Sequence, residues 1–247
     1  MNMEKKGQVA IFIIVGIVIV AAVLVFFLWV RPTYFVDEPG RFGFEGCVEN
    51  VVEDGIVKLG ATAGFVDPEF SYSYDGKEYA YLCYSGDYYE TCVVQVPFLK
   101  NVFDEGLESL IRDEVDACYD ASLNDLRGQG YSVDAGSVDY DVEIEPGVVR
   151  VELGAPTSIG DARFTRFETR VNSPVYDMLM IATSIVQFEA NYGDSDVSEL
   201  MLYYPDYYIG KLKRGEGTTA YKLEDKDSGF EFLFASRSLV FPAGYDL

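Results

Sequence analysis

Histidine is absent from all 247 residues. Its absence excludes imidazole acid–base catalysis, serine–histidine triads and histidine-bound metals. The chain also lacks an Asn-x-Ser/Thr acceptor, because Asn172-Ser173 is followed by Pro174, so N-glycosylation is not expected. Positive charge is scarce: 19 lysines and arginines stand against 41 aspartates and glutamates, a net charge of −22. Such a surface repels nucleic acid and anionic lipid and suits a cation-rich exterior, where counterions screen self-repulsion. The one basic cluster, Arg163, Arg166 and Arg170, alternates with acidic and apolar residues and reads as a wet strand face. A phosphate-cradling glycine loop, a metal-spaced cysteine set and a nucleophile elbow are missing as well. No catalytic residue, metal or cofactor is therefore expected, and the chain reads as a non-enzyme.

Long hydrophobic runs are missing too, with one exception at the start. From Val9 to Val30 no residue is charged. At helical rise this run covers about 33 Å, enough for a hydrocarbon core of about 30 Å. It ends in Trp29, Val30, Arg31 and Pro32, an interfacial aromatic followed by a helix breaker. The pattern predicts a transmembrane helix over 9–30, with the lipid bilayer as its partner. Residues 1–8 then form a cytoplasmic tail or a leader, 31–43 a linker, and 44–247 an extracytoplasmic domain with a subdivision expected near 130. Lys5 and Lys6 before the run, and Asp37 and Glu38 after it, place the N-terminus inside and the bulk outside. All four cysteines, Cys47, Cys83, Cys92 and Cys118, lie beyond the run. An even count in an exported domain reads as disulfides, the alternative being four reduced core cysteines in a cytosolic domain.

Near half of the residues are hydrophobic, so the domain is globular. Helical spacing of Phe44, Val48, Val51, Ile56 and Leu59 predicts a first helix over 44–59, although Gly46 and Gly55 weaken it. Asp75-Gly76 is a hairpin signal that sets Tyr72 opposite Tyr79 and Phe70 opposite Tyr81. A second turn at Asp87-Tyr88 sets Cys83 opposite Cys92 at disulfide distance. Pro97 opens a long helix, about 98–127, whose stripe Leu107, Ile111, Val115 and Cys118 faces the core. That leaves Cys47 and Cys118 as the second pair, both expected on core-facing helical stripes. Strands follow at 138–145, 149–153 and 162–171, with Glu143 facing Arg150. Ser173 and Pro174 start a third helix reaching Asn191, and strands at 199–204, 207–213, 218–224 and 230–236 close the domain. The fold class is α+β: an N-terminal transmembrane helix, then a mainly antiparallel sheet ectodomain with three helices, stapled by disulfides.

Three constellations carry candidate chemistry. The row Asp139, Asp141, Glu143 and Glu145 could hold calcium or supply a carboxylate pair, but alternating acids are ordinarily the wet face of a strand. Asp225-x-Asp227-x-Gly229 and Asp194-x-Asp196-x-Ser198 are fragments of calcium loops without the closing glutamate. The 19 tyrosines cluster at 72–89 and 203–208. A tyrosine presents a flat apolar face and a polar tip, suited to glycans and protein partners. Tyr79, Tyr81, Tyr203, Tyr204, Tyr207 and Tyr208 are therefore the expected contact surface, the alternative being tyrosines packed on helices.

Lys5-Lys6-Gly7-Gln8 before the apolar run resembles the archaeal class III, prepilin-type signal peptide. The resemblance implies cleavage after Gly7 and a mature chain starting at Gln8. Phe12 stands where many type IV pilins carry glutamate, although archaellins lack that glutamate too. The order of the ectodomain looks like that of membrane-anchored archaeal proteins of unassigned function. Its motifs are Cys47 on a helix ending in Leu59-Gly60, a turn with Gly64, and a second helical cysteine, Cys118. This resemblance implies no activity. The chain is accordingly expected to be an extracellular binding or structural module of the cell envelope, with an envelope protein or glycan as partner. The alternative is a type IV pilin-like filament subunit, which Pro32 disfavours by breaking the membrane helix at once.

Overall fold

In the computed structural model, residues 15–21 and 44–240 are described. The chain divides into two compact units, 1–42 and 43–247. Of the first unit only 15–21 is described, as helix with exposed residues. The expectation of a membrane-spanning helix over 9–30 is corrected here: among the described residues no helix is long and apolar enough to cross a membrane. Gly7, Gln8, the ends of the 9–30 run and the linker 31–43 lie outside the described residues.

The second unit is α+β, with one mixed and one antiparallel sheet and, among the described residues, four helices: α1 (Phe44–Gly60), α2 (Leu99–Gly128), α3 (Val175–Tyr192) and α4 (Val197–Tyr203). The three expected helices are α1, α2 and α3. The fourth replaces the strand expected at 199–204. Asp196 caps it, accepting from the Ser198 and Glu199 amides at 2.9 and 3.4 Å. A capping aspartate with glutamate three residues on is a helix start that outweighs the local β propensity of Tyr203 and Tyr204.

The strands are β1 (Ser71–Tyr74), β2 (Lys77–Tyr84), β3 (Val93–Val94), β4 (Val133–Ala135), β5 (Asp139–Glu145), β6 (Val148–Ile159), β7 (Ala162–Asn172), β8 (Tyr207–Lys213), β9 (Thr218–Asp225) and β10 (Glu231–Arg237). The first sheet runs β1-β2-β10-β9-β8, with β3 added along β2. It is mixed, because β10 joins β2 in parallel, Ala235 beside Tyr81. In the second sheet β6 pairs with β7 on one edge and with β4 and β5 on the other, all antiparallel.

The β1–β2 hairpin turns at Asp75-Gly76, both at positive φ (51° and 72°), and pairs Tyr72 with Tyr79 as the dipeptide predicts. The Tyr81 amide donates to the Phe70 carbonyl at 3.1 Å. Glu143 stands opposite Arg150. One apolar core joins the inward faces of both sheets to the buried stripes of α1, α2 and α3, with Phe103, Leu107, Met178, Leu179, Phe232 and Phe234 at its centre.

Helix α2 packs closely on α1 and on the turn that follows it, at two glycines. A Cβ on Gly106 would sit 2.5 Å from the Gly64 carbonyl oxygen. One on Gly55 would sit 2.8 Å from side-chain carbons of Leu107 and Ile111. Gly55, which weakens α1 on propensity, is thus explained by packing against α2.

Two disulfides brace this frame: Cys47–Cys118 joins α1 to α2, and Cys83–Cys92 closes the loop after β2. Two details of the expectation change. Cys47 is exposed while Cys118 is buried, so the first bridge lies at the rim of the helix pair and not on two inward stripes. Cys83 stands opposite Val94, not Cys92. The chain between them is an irregular loop rather than a two-residue turn, and its Cα–Cα distance of 5.3 Å still suits a disulfide.

Candidate functional site

The outer face of the first sheet carries Lys77, Tyr79 and Tyr81 of β2, Glu231, Leu233 and Ala235 of β10, Ala220, Lys222 and Glu224 of β9, and Tyr208 of β8. Its middle forms a small cluster of its own: Tyr79, Ala220, Leu233 and Ala235 are buried, with Tyr72, Tyr81 and Leu212 packed against them. The two alanines leave room for tyrosine rings to lie across them. The Tyr81 hydroxyl crosses the sheet to meet the Thr218 hydroxyl at 3.0 Å. Burial pushes the Tyr81 phenol above its ordinary pKa, and the Thr218 hydrogen bond works against that rise.

The six tyrosines expected to make one surface do not make one. Tyr79 and Tyr207 are buried, Tyr81 and Tyr204 are half-buried, and Tyr203 and Tyr208 are exposed. Tyr207 faces inward, and its hydroxyl donates to Asp177 in the first turn of α3 at 3.1 Å. Tyr208 is separated from Tyr79 by an ion-pair row in which Lys222 and Lys77 both reach Glu231 at 2.6 Å. Period-two alternation puts neighbouring tyrosines on opposite faces, and the parallel β2–β10 pairing sends Tyr203–Tyr208 to the far edge.

Rings do gather at the other end of β2. Phe70, Tyr81 and Tyr84 form a trio with centroids 4.7, 4.6 and 5.2 Å apart. Tyr72 and Tyr74 stack beside each other at 6.4 Å. Phe70 is 47% exposed although it is fully aromatic. Beside it, a cavity of about 410 Å³ opens between the segment entering β1, β2 and the chain after β3. Its wall includes Phe65, Asp67, Glu69, Phe70, Tyr81 and Gln95. In the adjacent disulfide loop Tyr88 and Tyr89 are 64% and 73% exposed. Tyr89 adopts a left-handed φ of 67°, fixed by its amide donating to the Leu239 carbonyl at 2.6 Å. A bulky residue there costs on the order of 1–2 kcal/mol, which the surrounding structure must offset.

Most carboxylates of the candidate constellations are engaged by the chain's own groups. Arg150 sits among Glu143, Glu145 (3.1 Å) and Glu152 (3.4 Å), and Arg166 reaches Glu152 at 2.9 Å. Hydrogen bonds that Arg150 donates to Glu145 and Glu143 raise its pKa against partial desolvation. Of the row Asp139–Glu145, Glu143 and Glu145 are thus tied up in ion pairs, and Asp139 accepts from the Tyr140 amide at 3.1 Å. Asp225 accepts from the Ser228 amide at 2.8 Å within its turn. Asp194 takes Lys211 and Lys213, the latter at 2.7 Å. Partial burial works against the Asp194 carboxylate, but the two lysines outweigh it and hold its pKa below the usual range. Among the described residues no group of three or more His, Cys, Asp or Glu side chains is arranged to hold a metal ion.

Sequence reading missed one buried polar pair. Glu189 on α3 is 1% exposed and accepts a hydrogen bond from the Tyr221 hydroxyl on β9, itself fully buried. Burial raises the Glu189 pKa, against the Tyr221 hydrogen bond and the Lys211 charge, which lower it. The signal available was a lone glutamate within the apolar run 175–190. A second cavity, about 470 Å³, lies where α1 meets the start of α3 and the β9–β10 turn. Its wall mixes Ile56, Val57 and Phe230 with Glu53, Asn172 and Ser228, and no buried ionisable group lines it.

No protein-family model, curated protein or solved structure matches the chain.

Proposed function

We propose that the chain is a non-enzymatic binding or structural module on the outer side of the cell envelope. Its contact surface is the aromatic end of the β1–β2 hairpin with the adjoining disulfide loop. The observation that carries this reading is the ring cluster of exposed Phe70 with half-buried Tyr81 and Tyr84 beside an open cavity of about 410 Å³. Aromatic surface left at the rim of a cavity, rather than folded into the core, is the usual mark of a recognition site. Rigid aromatic anchors lose little side-chain entropy on contact, and the Cys83–Cys92 bridge holds the neighbouring loop in place. Both disulfides, and a net charge of −22, suit an oxidising and ion-rich exterior.

Retention on isolated envelopes of the source cell tests the reading. Phe70→Ser combined with Tyr88→Ser and Tyr89→Ser is expected to lower retention at least tenfold. Tyr203→Ser with Tyr208→Ser, on the far edge, is expected to leave it within twofold. Equal retention of wild type and the triple variant contradicts the proposal. Protease added to intact cells is expected to cut the domain as it cuts known surface proteins; survival of the domain places it on the other side.

A further inference from the structure

We infer that the cavity beside Phe70 receives a guanidinium or ammonium side chain of a partner polypeptide, so that the partner presents a basic segment. The inference rests on the contact-surface reading and names the chemistry of what is contacted. Three observations converge on it.

The wall offers acceptors and ring faces but no cation. Asp67 and Glu69 are exposed at the cavity, and Gln95 presents an amide. The Gln95 amide nitrogen is already donated to the Val93 carbonyl at 2.8 Å, which leaves its oxygen as an acceptor. Among the described residues neither Asp67 nor Glu69 has an ion-pair partner, and no lysine or arginine lines the cavity. An anionic ligand would meet two carboxylates here and no cation to offset them. A guanidinium, with five donors and a flat weakly hydrated face, matches carboxylates and rings together.

The same aromatic face already takes guanidinium groups from its own chain. Arg237 lies over Tyr84 and Arg214 over Tyr74, each 5.3 Å from the ring centroid. Phe70 and Tyr81, which flank the cavity, have no such cation among the described residues. The site is thus the unfilled position in a face whose neighbouring positions are filled. A cation within about 6 Å of an aromatic centroid is attracted by the ring quadrupole.

Long-range charge favours the same partner. A chain of net charge −22 raises the local concentration of cationic segments and repels a second copy of itself. A neutral saccharide would use the rings and the carboxylates but would gain nothing from that field.

The test titrates the full chain with a short peptide carrying a single arginine between glycines, followed by NMR shifts of Phe70, Tyr81 and Gln95. The expected result is saturable shifts at these residues, weakened at least tenfold by Asp67→Asn with Glu69→Gln and by Phe70→Ser. Asp134→Asn with Asp161→Asn removes the same charge elsewhere and is expected to change affinity by less than twofold. Raising salt from 0.05 to 0.5 M is expected to weaken binding severalfold. Equal weakening by both acid-to-amide pairs overturns the inference, because only net charge is then being read. Shifts produced by a neutral oligosaccharide and not by the peptide overturn it too, while leaving the contact surface standing. If no probe binds and Phe70→Ser leaves envelope retention unchanged, both readings fall.

Discussion

The Tyr221 hydroxyl donates to the Glu189 carboxylate inside the apolar core, tying β9 to α3. Both side chains are sequestered, so the bond is made in surroundings where an unmet carboxylate is costly. Tyr221→Phe leaves the carboxylate without this donor and is expected to lower stability by about 1–3 kcal/mol. Urea unfolding at neutral pH checks it.

The pH dependence of that pair has a definite sign. The folded pKa of Glu189 lies above its ordinary value, because burial outweighs Tyr221 and Lys211. Between the ordinary value and the raised one, the folded chain holds a proton that the unfolded chain has released. Stability therefore falls as pH rises through that window and levels off above it. Glu189→Gln keeps an acceptor for Tyr221 and removes this titration. The stability of wild type relative to Glu189→Gln is expected to decline from acid toward neutral pH. The neighbouring Asp194, whose pKa is lowered, titrates in both proteins and cancels in the difference. A difference that does not change with pH contradicts the assignment.

The two disulfides differ in the length of chain they close, 71 residues for Cys47–Cys118 and 9 for Cys83–Cys92. On the loop-entropy account, replacing the first pair by serine costs about 4 kcal/mol, and replacing the second costs under about 3. Denaturant midpoints of the two double variants under non-reducing conditions give the order.

Glycine-to-alanine changes in the helices are expected to have opposite signs. At Gly46 nothing lies within 4 Å of an added Cβ, so alanine stabilises α1 by about 0.5–1 kcal/mol. At Gly106 the added carbon meets the Gly64 carbonyl oxygen at 2.5 Å. There the gain in helix propensity is overtaken by a clash with backbone, and the variant is expected to be less stable than wild type by more than about 1 kcal/mol. Thermal unfolding of the two variants separates the cases.

What was legible in the sequence follows from the range of each signal. Asp75-Gly76 fixed a hairpin and its register, because a two-residue turn is a local decision. The stripes of 44–59 and 98–127 match α1 and α2, and the Cys47–Cys118 bridge joins these helices although Cys47 lies off the inward stripe. The parallel pairing of β10 with β2 joins residues some 150 apart in the chain and leaves no local trace. That pairing decides which tyrosines meet. It buries Tyr79, isolates Tyr208 behind the Lys77–Glu231–Lys222 row, and leaves Phe70, Tyr81 and Tyr84 together. The helix at 197–203 stands where a strand is expected because the Asp196 cap outweighs the β propensity of Tyr203 and Tyr204.

Hydrogen-exchange footprinting of the full chain, with and without envelope fragments of its own cell, tests the central claim most directly. The account predicts added protection within 65–96, strongest in the segment entering β1, in β2 and in the disulfide loop, and none in 197–213. Protection confined to 197–213, or none anywhere while the chain remains bound, contradicts it.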